Sequence, residues 1–147
     1  MLFRSLTKRD ISDLFDLRAC FEVQAVDWAI RRMSGENVDR LAESIEFMEF
    51  YTLKEDVEKV LSFNSQFHNI IYAGTGDRML QKTLSIYQTY LKYSAPHKTY
   101  DEDSLKAILE EHKAIFEAFE LRNAAAGRKA IEYHMAQSKL RRIANYF

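Results

Sequence analysis

Residues 105–119 read LKAILEEHKAIFEAF, and this stretch decides the fold class. Its apolar side chains recur at three- and four-residue steps, at Leu105, Ile108, Leu109, Ile115, Phe116 and Phe119. That spacing predicts an amphipathic α-helix with one face toward a protein core. His112 shares this face, where a buried polar side chain is costly unless a partner satisfies it.

A second stripe of the same kind runs through residues 57–71, VEKVLSFNSQFHNII, with Asn64 and His68 four residues apart on one face. His112 precedes Asn123 by 11 residues, and His134 follows it by 11. If the chain folds back around Asn123, both imidazoles lie roughly 16 Å from the turn, at about 1.5 Å per residue. Imidazoles that converge in an apolar core in this way indicate a metal ion.

The rest of the chain is predicted to be helical as well. Six helices are expected at about residues 8–33, 37–52, 54–73, 77–93, 102–121 and 123–146, with Thr7, Asp77 and Asn123 as caps. The core stripe of the first is predicted to be Leu14, Leu17, Arg18, Phe21, Ala25 and Trp28. Short loops between long helices favour antiparallel neighbours in an all-α bundle.

Composition excludes several classes of protein. A chain of 147 residues fits one domain with a real core. The net charge of −1, with no basic block beyond residues 139–142, argues against a chain that grips nucleic acid by itself. Cys20 is the only cysteine, which excludes an intrachain disulfide and fits a cytoplasmic protein. No stretch approaches the roughly 20 apolar residues of a membrane span.

Taken together, short motifs along nearly the whole chain resemble the effector-binding domain of the FadR subfamily of GntR-type transcription regulators, the FCD domain. They are residues 13–18 with Glu22 and Ala25, residues 64–68, Ala73-Gly74 followed by Leu80, residues 110–115, and residues 123–126 leading to His134. The resemblance implies a bundle of six to seven helices that usually dimerises. It also implies a central cavity for a divalent metal and a small carboxylate effector.

The resemblance implies Asn64, His68, His112 and His134 as the metal ligands. The family often has aspartate where this chain has Asn64, and an amide oxygen is a poorer ligand for hard cations. The expected cofactor is therefore a divalent transition metal, with zinc or nickel ahead of magnesium or calcium. Because Asn64 lacks the negative charge of that aspartate, the site is also more positive, which favours an anionic effector. Alternatively, Asn64 only hydrogen-bonds a metal-bound water.

Three residues are expected to contact the effector. The resemblance implies that Arg18 of the first helix reaches toward the cavity and meets an effector carboxylate. Tyr87 and Tyr90 are further candidates, because a phenol hydrogen-bonds carboxylates well. The alternative for Arg18 is an ion pair with Glu22 on the surface, four residues on. The alternative for the tyrosines is a place in the core with the hydroxyl at its rim.

Regulators of this kind begin with a winged helix-turn-helix domain, and residues 1–147 contain none. The sequence leaves open whether that half was removed or never present. We expect a single FCD-like domain over residues 1–147, a cytoplasmic homodimer that senses a small organic acid. DNA contact is expected only through a DNA-binding domain outside this chain, and membrane contact is not expected.

Two other functions remain open at this point. Three histidine ligands with one open coordination position are also typical of the catalytic zinc sites of hydrolases. The apolar stripes offer no acidic group, because Glu110 and Glu111 are expected to point away from His112, so we expect no enzyme. The other alternative is a metal-stabilised interaction module without an effector. A single histidine on an apolar stripe is usually a hydrogen-bonded core residue, and only the set of three favours a metal.

Overall fold

The computed structural model describes residues 6–93 and 100–146, excepting the side chains of Tyr93 and Tyr146. These ranges contain six helices and no strand: α1 Lys8–Arg32, α2 Gly35–Leu53, α3 Val57–Gly74, α4 Arg78–Tyr93, α5 Glu102–Glu120 and α6 Ala124–Tyr146. The predicted all-α fold is therefore confirmed. The predicted loop at residues 94–97, which includes His97, lies outside the described residues.

Local capping confirms three of the predicted helix starts. Thr7 forms a reciprocal capping box with Asp10 at the start of α1. Asp77 Oδ1 accepts a hydrogen bond from the Leu80 amide at 2.8 Å, and Asn123 Oδ1 accepts one from the Ala126 amide at 3.0 Å. Each side chain satisfies an amide that the first helical turn leaves without a partner.

The start of α3 differs from the prediction by three residues. The sequence favours a helix from Lys54, whereas α3 begins at Val57. Glu55 has a φ of 55°, in the left-handed region, and this reverses the chain after α2. Asp56 then caps the new helix by accepting a hydrogen bond from the Lys59 amide at 3.2 Å. The apolar stripe continues across this turn, so periodicity alone did not locate it.

Helix α1 lies at the centre of the packing. It contacts α6, α3 and α4, while α2 packs against α3 and α5, and α5 packs against α6. The turn at residues 121–123 joins α5 and α6 into a hairpin. Arg122 in this turn donates hydrogen bonds of 2.8 Å to the carbonyls of Ile30 and Met33, which ties the hairpin to the C-terminal end of α1.

The buried face of α1 is rotated from the predicted one. Leu17 is 52% exposed, Leu14, Phe21 and Trp28 are half-buried, and only a small part of the Arg18 side chain reaches the surface. The buried residues are Ile11, Phe15, Glu22, Ala25, Val26, Ala29 and Ile30. A helix that is covered by three others buries a wide face. The prediction followed a narrow stripe of large apolar residues and therefore missed the centre of the buried face. Of the predicted stripe, Ala25 is buried and Leu14, Phe21 and Trp28 pack at the edge of the core, whereas the prediction for Leu17 is wrong.

The stripes predicted for α2 and α4 are largely correct. Leu41, Ile45 and Met48 are buried on α2, as are Leu80, Leu84 and Leu91 on α4. None of the helices in the described ranges combines the length and the apolar character that crossing a bilayer requires. The central cavity stays a prediction.

Gly127 allows α6 to approach α1 closely, and we expect Gly127→Ala to lower the free energy of unfolding by about 1–2 kcal/mol. A Cβ here would collide with Ile30 Cδ1 and lie 2.9 Å from Val26 Cγ1, both in the core. The strain of overpacking outweighs the gain of about 1 kcal/mol in helix propensity. Chemical denaturation measures the change. Gly35→Ala is the control, because a Cβ there meets nothing within 4 Å. Equal effects of the two variants would contradict the close approach.

Candidate metal centre

Three imidazoles from three helices meet inside the bundle. His68 on α3, His112 on α5 and His134 on α6 are all buried. Their ring centroids are 5.2 Å apart for His68 and His112, 5.3 Å for His68 and His134, and 4.5 Å for His112 and His134. One potential ligand atom from each residue lies within 4.8 Å of the others. The predicted convergence of the three histidines is therefore correct.

The backbone of α5 fixes the orientation of His112. Its Nδ1 lies 2.7 Å from the carbonyl oxygen of Ile108, one turn earlier on the helix. A carbonyl only accepts, so Nδ1 carries the proton and Nε2 keeps its lone pair. Nε2 is buried and has no hydrogen-bond partner among the described residues. A buried acceptor without a partner costs about 1–3 kcal/mol, which a ligand at this position would recover.

A carboxylate and an arginine fix the orientation of His134. Its Nδ1 lies 2.7 Å from Oε1 of Glu111. Arg141 donates to both oxygens of Glu111, at 2.7 Å each, in a bidentate pair. The ionised carboxylate accepts the Nδ1 proton, so the lone pair of His134 is also on Nε2. Such a carboxylate–histidine pair is the usual outer support of a metal ligand.

The spacing of the His68 and His134 nitrogens fits a bound transition metal. Nε2 of His134 lies 3.3 Å from Nε2 of His68. Two imidazole nitrogens that share a tetrahedral zinc at about 2.0–2.1 Å are separated by about 3.3–3.4 Å. The donor set of neutral imidazoles suits zinc, nickel, copper or iron. The residues present therefore fit such an ion.

The two supported histidines are held neutral. Burial lowers the pKa of His112 well below its ordinary value, and the neighbouring His134 and His68 lower it further. Burial also lowers the pKa of His134 to about 4, although the hydrogen bond to Glu111 opposes the shift. Neutral imidazole is the form that binds a metal, so both rings are ready to do so at neutral pH.

A buried charge triad lies behind His68. Glu22 and Arg18 of α1 form an ion pair with Nε to Oε1 at 3.4 Å, and the Tyr72 hydroxyl donates to the same oxygen. Arg18 also donates to the Tyr72 hydroxyl at 3.3 Å. The alternative of a surface pair between Arg18 and Glu22 is thus wrong in its location. The pair forms, but Glu22 is completely buried and Arg18 nearly so.

The charge on Glu22 survives burial because of these neighbours. Burial alone would raise the pKa of the carboxyl, but the neighbouring groups, the Arg18 guanidinium first among them, lower it to about 2. Burial and the nearby charge of Glu22 raise the pKa of the Tyr72 hydroxyl well above its ordinary value. Glu22 is therefore an anion, and Tyr72 a neutral donor, throughout the physiological range.

The other predicted site residues are placed less decisively. Asn64 is half-buried one turn before His68, and its side chain has no hydrogen bond to another described residue. Tyr87 is half-buried on α4 with its ring 5.8 Å from that of Phe21, and Tyr90 is half-buried on the same helix. Their roles toward a metal or an effector stay predictions.

The FCD domain profile matches residues 13–137. The chain belongs to the FCD domain family. A curated relative, the uncharacterized HTH-type transcriptional regulator YdhC of Bacillus subtilis (strain 168), is 24% identical over 132 residues, which are 88% of this chain and 58% of YdhC. The chain thus spans a little over half the length of this curated relative.

Solved structures share the fold of this FCD domain. E. coli McbR/YncC superimposes with a TM-score of 0.83 at 18% identity, over 96% of this chain and 68% of that one. Streptococcus agalactiae GntR gives a TM-score of 0.75 at 20% identity, over 88% of this chain and 58% of that one. FCD domains of GntR-type regulators are regulatory domains, so the prediction that the chain is not an enzyme is confirmed.

Sequence reasoning did not place four residues at this centre of the FCD domain: Glu22, which it considered only as a surface partner of Arg18, and Tyr72, Glu111 and Arg141. Glu111 was expected to point away from His112, and it does not bond that ring, but it reaches His134 on the neighbouring helix. Some signal was present in the spacing. Tyr72 follows His68 by four residues, and Arg141 follows His134 by seven, so each pair shares a helix face.

Proposed function

We propose that this FCD domain is the ligand-sensing and dimerisation domain of a GntR/FadR-type transcription regulator. It binds a divalent transition metal, zinc or nickel, through His68, His112 and His134, with Asn64 as the fourth ligand. A small carboxylate effector binds at the same place. When bound, the metal supplies a Lewis-acidic centre with coordination positions left for the effector.

One observation carries the metal part of this proposal. The Nε2 lone pair of His112 is buried without a partner among the described residues, beside the imidazoles of His68 and His134. A hydrogen-bonded core histidine would have found a donor for this atom. Asn64 supports a fourth ligand, since it lies one turn from His68 and has no hydrogen bond to another described residue.

Charge balance supports an anionic effector. The two buried carboxylates near the centre are each paired with an arginine, Glu22 with Arg18 and Glu111 with Arg141. Neutral imidazoles and an amide carry no charge. A divalent ion would therefore place two positive charges in a buried site with no negative group to compensate them. A small di- or hydroxycarboxylate that chelates the ion would neutralise them.

Arg18, Tyr87 and Tyr90 complete the effector contact in this proposal. Arg18 already binds Glu22 and Tyr72, so it meets an effector carboxylate by sharing its donors between the two anions. A guanidinium has five N–H donors, which leaves several for a second carboxylate. A DNA-binding domain outside this chain would read the change that binding causes in the domain or its homodimer.

A thermal melt tests the effector part of the proposal. The zinc-loaded protein is heated with and without citrate, malate, lactate and succinate, with zinc kept in excess of any chelating acid. An acid at ten times its Kd adds about 1.4 kcal/mol, or roughly 4 °C in Tm for a chain of this size. We expect at least one acid to give this shift, and none to do so with metal-free protein.

The same experiment separates the proposal from its alternative. The charge of the filled site is also compatible with a metal-stabilised interaction module that binds no effector. In that case zinc raises the Tm and none of the acids adds to it. That outcome would contradict the sensor function and leave only the metal site.

A further inference from the structure

The buried side-chain N and O atoms that lack a hydrogen bond among the described residues are Glu22 Oε2, His68 Nδ1 and His112 Nε2. All three belong to the proposed metal centre or its immediate surroundings. Two of them face each other, since His68 Nδ1 lies 3.8 Å from Glu22 Oε2. This separation is too long for a hydrogen bond. The pair is therefore one small shift away from a contact that would satisfy both atoms.

The position of the proton on His68 decides whether that contact forms. The Nε2 lone pair of His134 lies 3.3 Å from Nε2 of His68. In a site without metal, the His68 proton is best placed on Nε2, where His134 accepts it. Nδ1 is then an acceptor facing a carboxylate oxygen, and two acceptors repel each other.

A bound metal requires the opposite tautomer. His68 can offer the Nε2 lone pair to a metal only if its proton is on Nδ1, where it points at Glu22 Oε2. The repulsive pair then becomes a charge-assisted N–H···O⁻ hydrogen bond. Both tautomers carry one ring proton, and only its position differs.

Glu22 is held ready for this contact by its other oxygen. Oε1 takes the hydrogen bonds of both Arg18 and Tyr72, which leaves Oε2 free on the side of His68. Glu22 and Arg18 lie on α1, whereas His68 and Tyr72 lie on α3. The contact therefore links occupancy of the centre to the packing of these two helices.

We infer that Glu22 is a positioning residue for the metal centre, whose Oε2 accepts the Nδ1 proton of His68 when the site is filled and not when it is empty. The inference rests on the metal part of the proposed function and adds a residue that the ligand set does not contain. Together with Glu111 on His134, it gives two of the three imidazoles a carboxylate paired with an arginine.

Zinc affinity of Glu22→Gln, measured by competition with a chelator, tests the role of the carboxylate. We expect a loss of about 10–100-fold relative to the parent protein, the usual cost of removing an outer carboxylate. Tyr72→Phe is the matched control, because it removes a hydrogen bond to Oε1 and leaves both Oε2 and the Arg18–Glu22 ion pair in place. Its affinity is expected to stay within about threefold of the parent, since no outer carboxylate is lost. If Glu22→Gln folds poorly with Arg18 left unpaired, the double variant Arg18→Met/Glu22→Gln replaces it, with the same expected loss.

A second measurement needs no substitution. Imidazole ¹⁵N chemical shifts report the tautomer of each histidine, and we expect His68 to carry its proton on Nε2 without zinc and on Nδ1 with zinc. Suppose that the parent protein binds zinc. If Glu22→Gln then binds zinc equally well, or if His68 has the same tautomer with and without zinc, the inference is overturned and the proposed function stays intact. A parent protein that binds no zinc would overturn both.

Discussion

Zinc at 100 times its Kd is expected to raise the Tm of the metal-free protein by roughly 8 °C. Binding at that excess stabilises the folded state by about 2.7 kcal/mol, and a chain of this size gains about 3 °C per kcal/mol. The physical basis is the buried lone pair of His112 Nε2, which has no partner among the described residues. Differential scanning calorimetry with and without zinc measures the shift.

His112→Ala should abolish most of this response. An apparent zinc-binding free energy of about 10–16 kcal/mol, shared by four ligands, assigns each roughly 3 kcal/mol, or about 150-fold in affinity. At the same zinc concentration the variant would then shift by only about 1 °C. His97→Ala is the control, because the sequence assigns His97 no role in the site. An equal response in both variants would show that zinc binds elsewhere.

The largest loss of stability is expected for Arg18→Met, which should lower the free energy of unfolding by about 3–5 kcal/mol. The substitution leaves the Glu22 carboxylate buried with only the Tyr72 hydroxyl and the more distant His68 near it. Removing one partner of a buried ion pair usually costs this much, because the remaining charge is uncompensated. Denaturant unfolding at neutral pH, followed by circular dichroism, measures the loss.

Two variants test the cause of that loss. Arg18→Met/Glu22→Gln removes both charges and should recover at least about 2 kcal/mol of the lost stability. Arg9→Met breaks a pair of the same i, i+4 spacing on the same helix, but its arginine is 91% exposed, so a change below about 1 kcal/mol is expected. An Arg18→Met effect as small as that of Arg9→Met would mean that the Arg18–Glu22 pair is not buried.

The parts of the fold governed by local chemistry were predictable from the sequence. Thr7, Asp77 and Asn123 cap their helices as predicted, because a cap depends on residues only two or three positions away. The meeting of His112 and His134 followed from equal distances to the turn at Asn123. That argument needs only the helix rise and a tight hairpin.

The surroundings of the metal centre were not predictable in the same way. Glu22 lies seven residues after Phe15 and four before Val26, so it occupies the buried face of α1. Acidic residues are normally expected on the surface, so the sequence alone does not predict that Glu22 is buried unless its buried partners are known. Those partners, Arg18 and Tyr72, and the reach of Glu111 to His134, depend on how neighbouring helices are rotated about their axes. Periodicity gives that rotation for one helix at a time, and for α1 it missed the centre of the buried face.

The central claim is that the imidazoles of residues 68, 112 and 134 bind one metal ion together. The most direct test is a crystal structure of the zinc-loaded protein with anomalous data collected at the zinc edge. The account predicts one strong peak per chain, about 2.0–2.1 Å from Nε2 of each of the three rings. An anomalous map without a peak among them, or with zinc bound only by surface carboxylates, would contradict it.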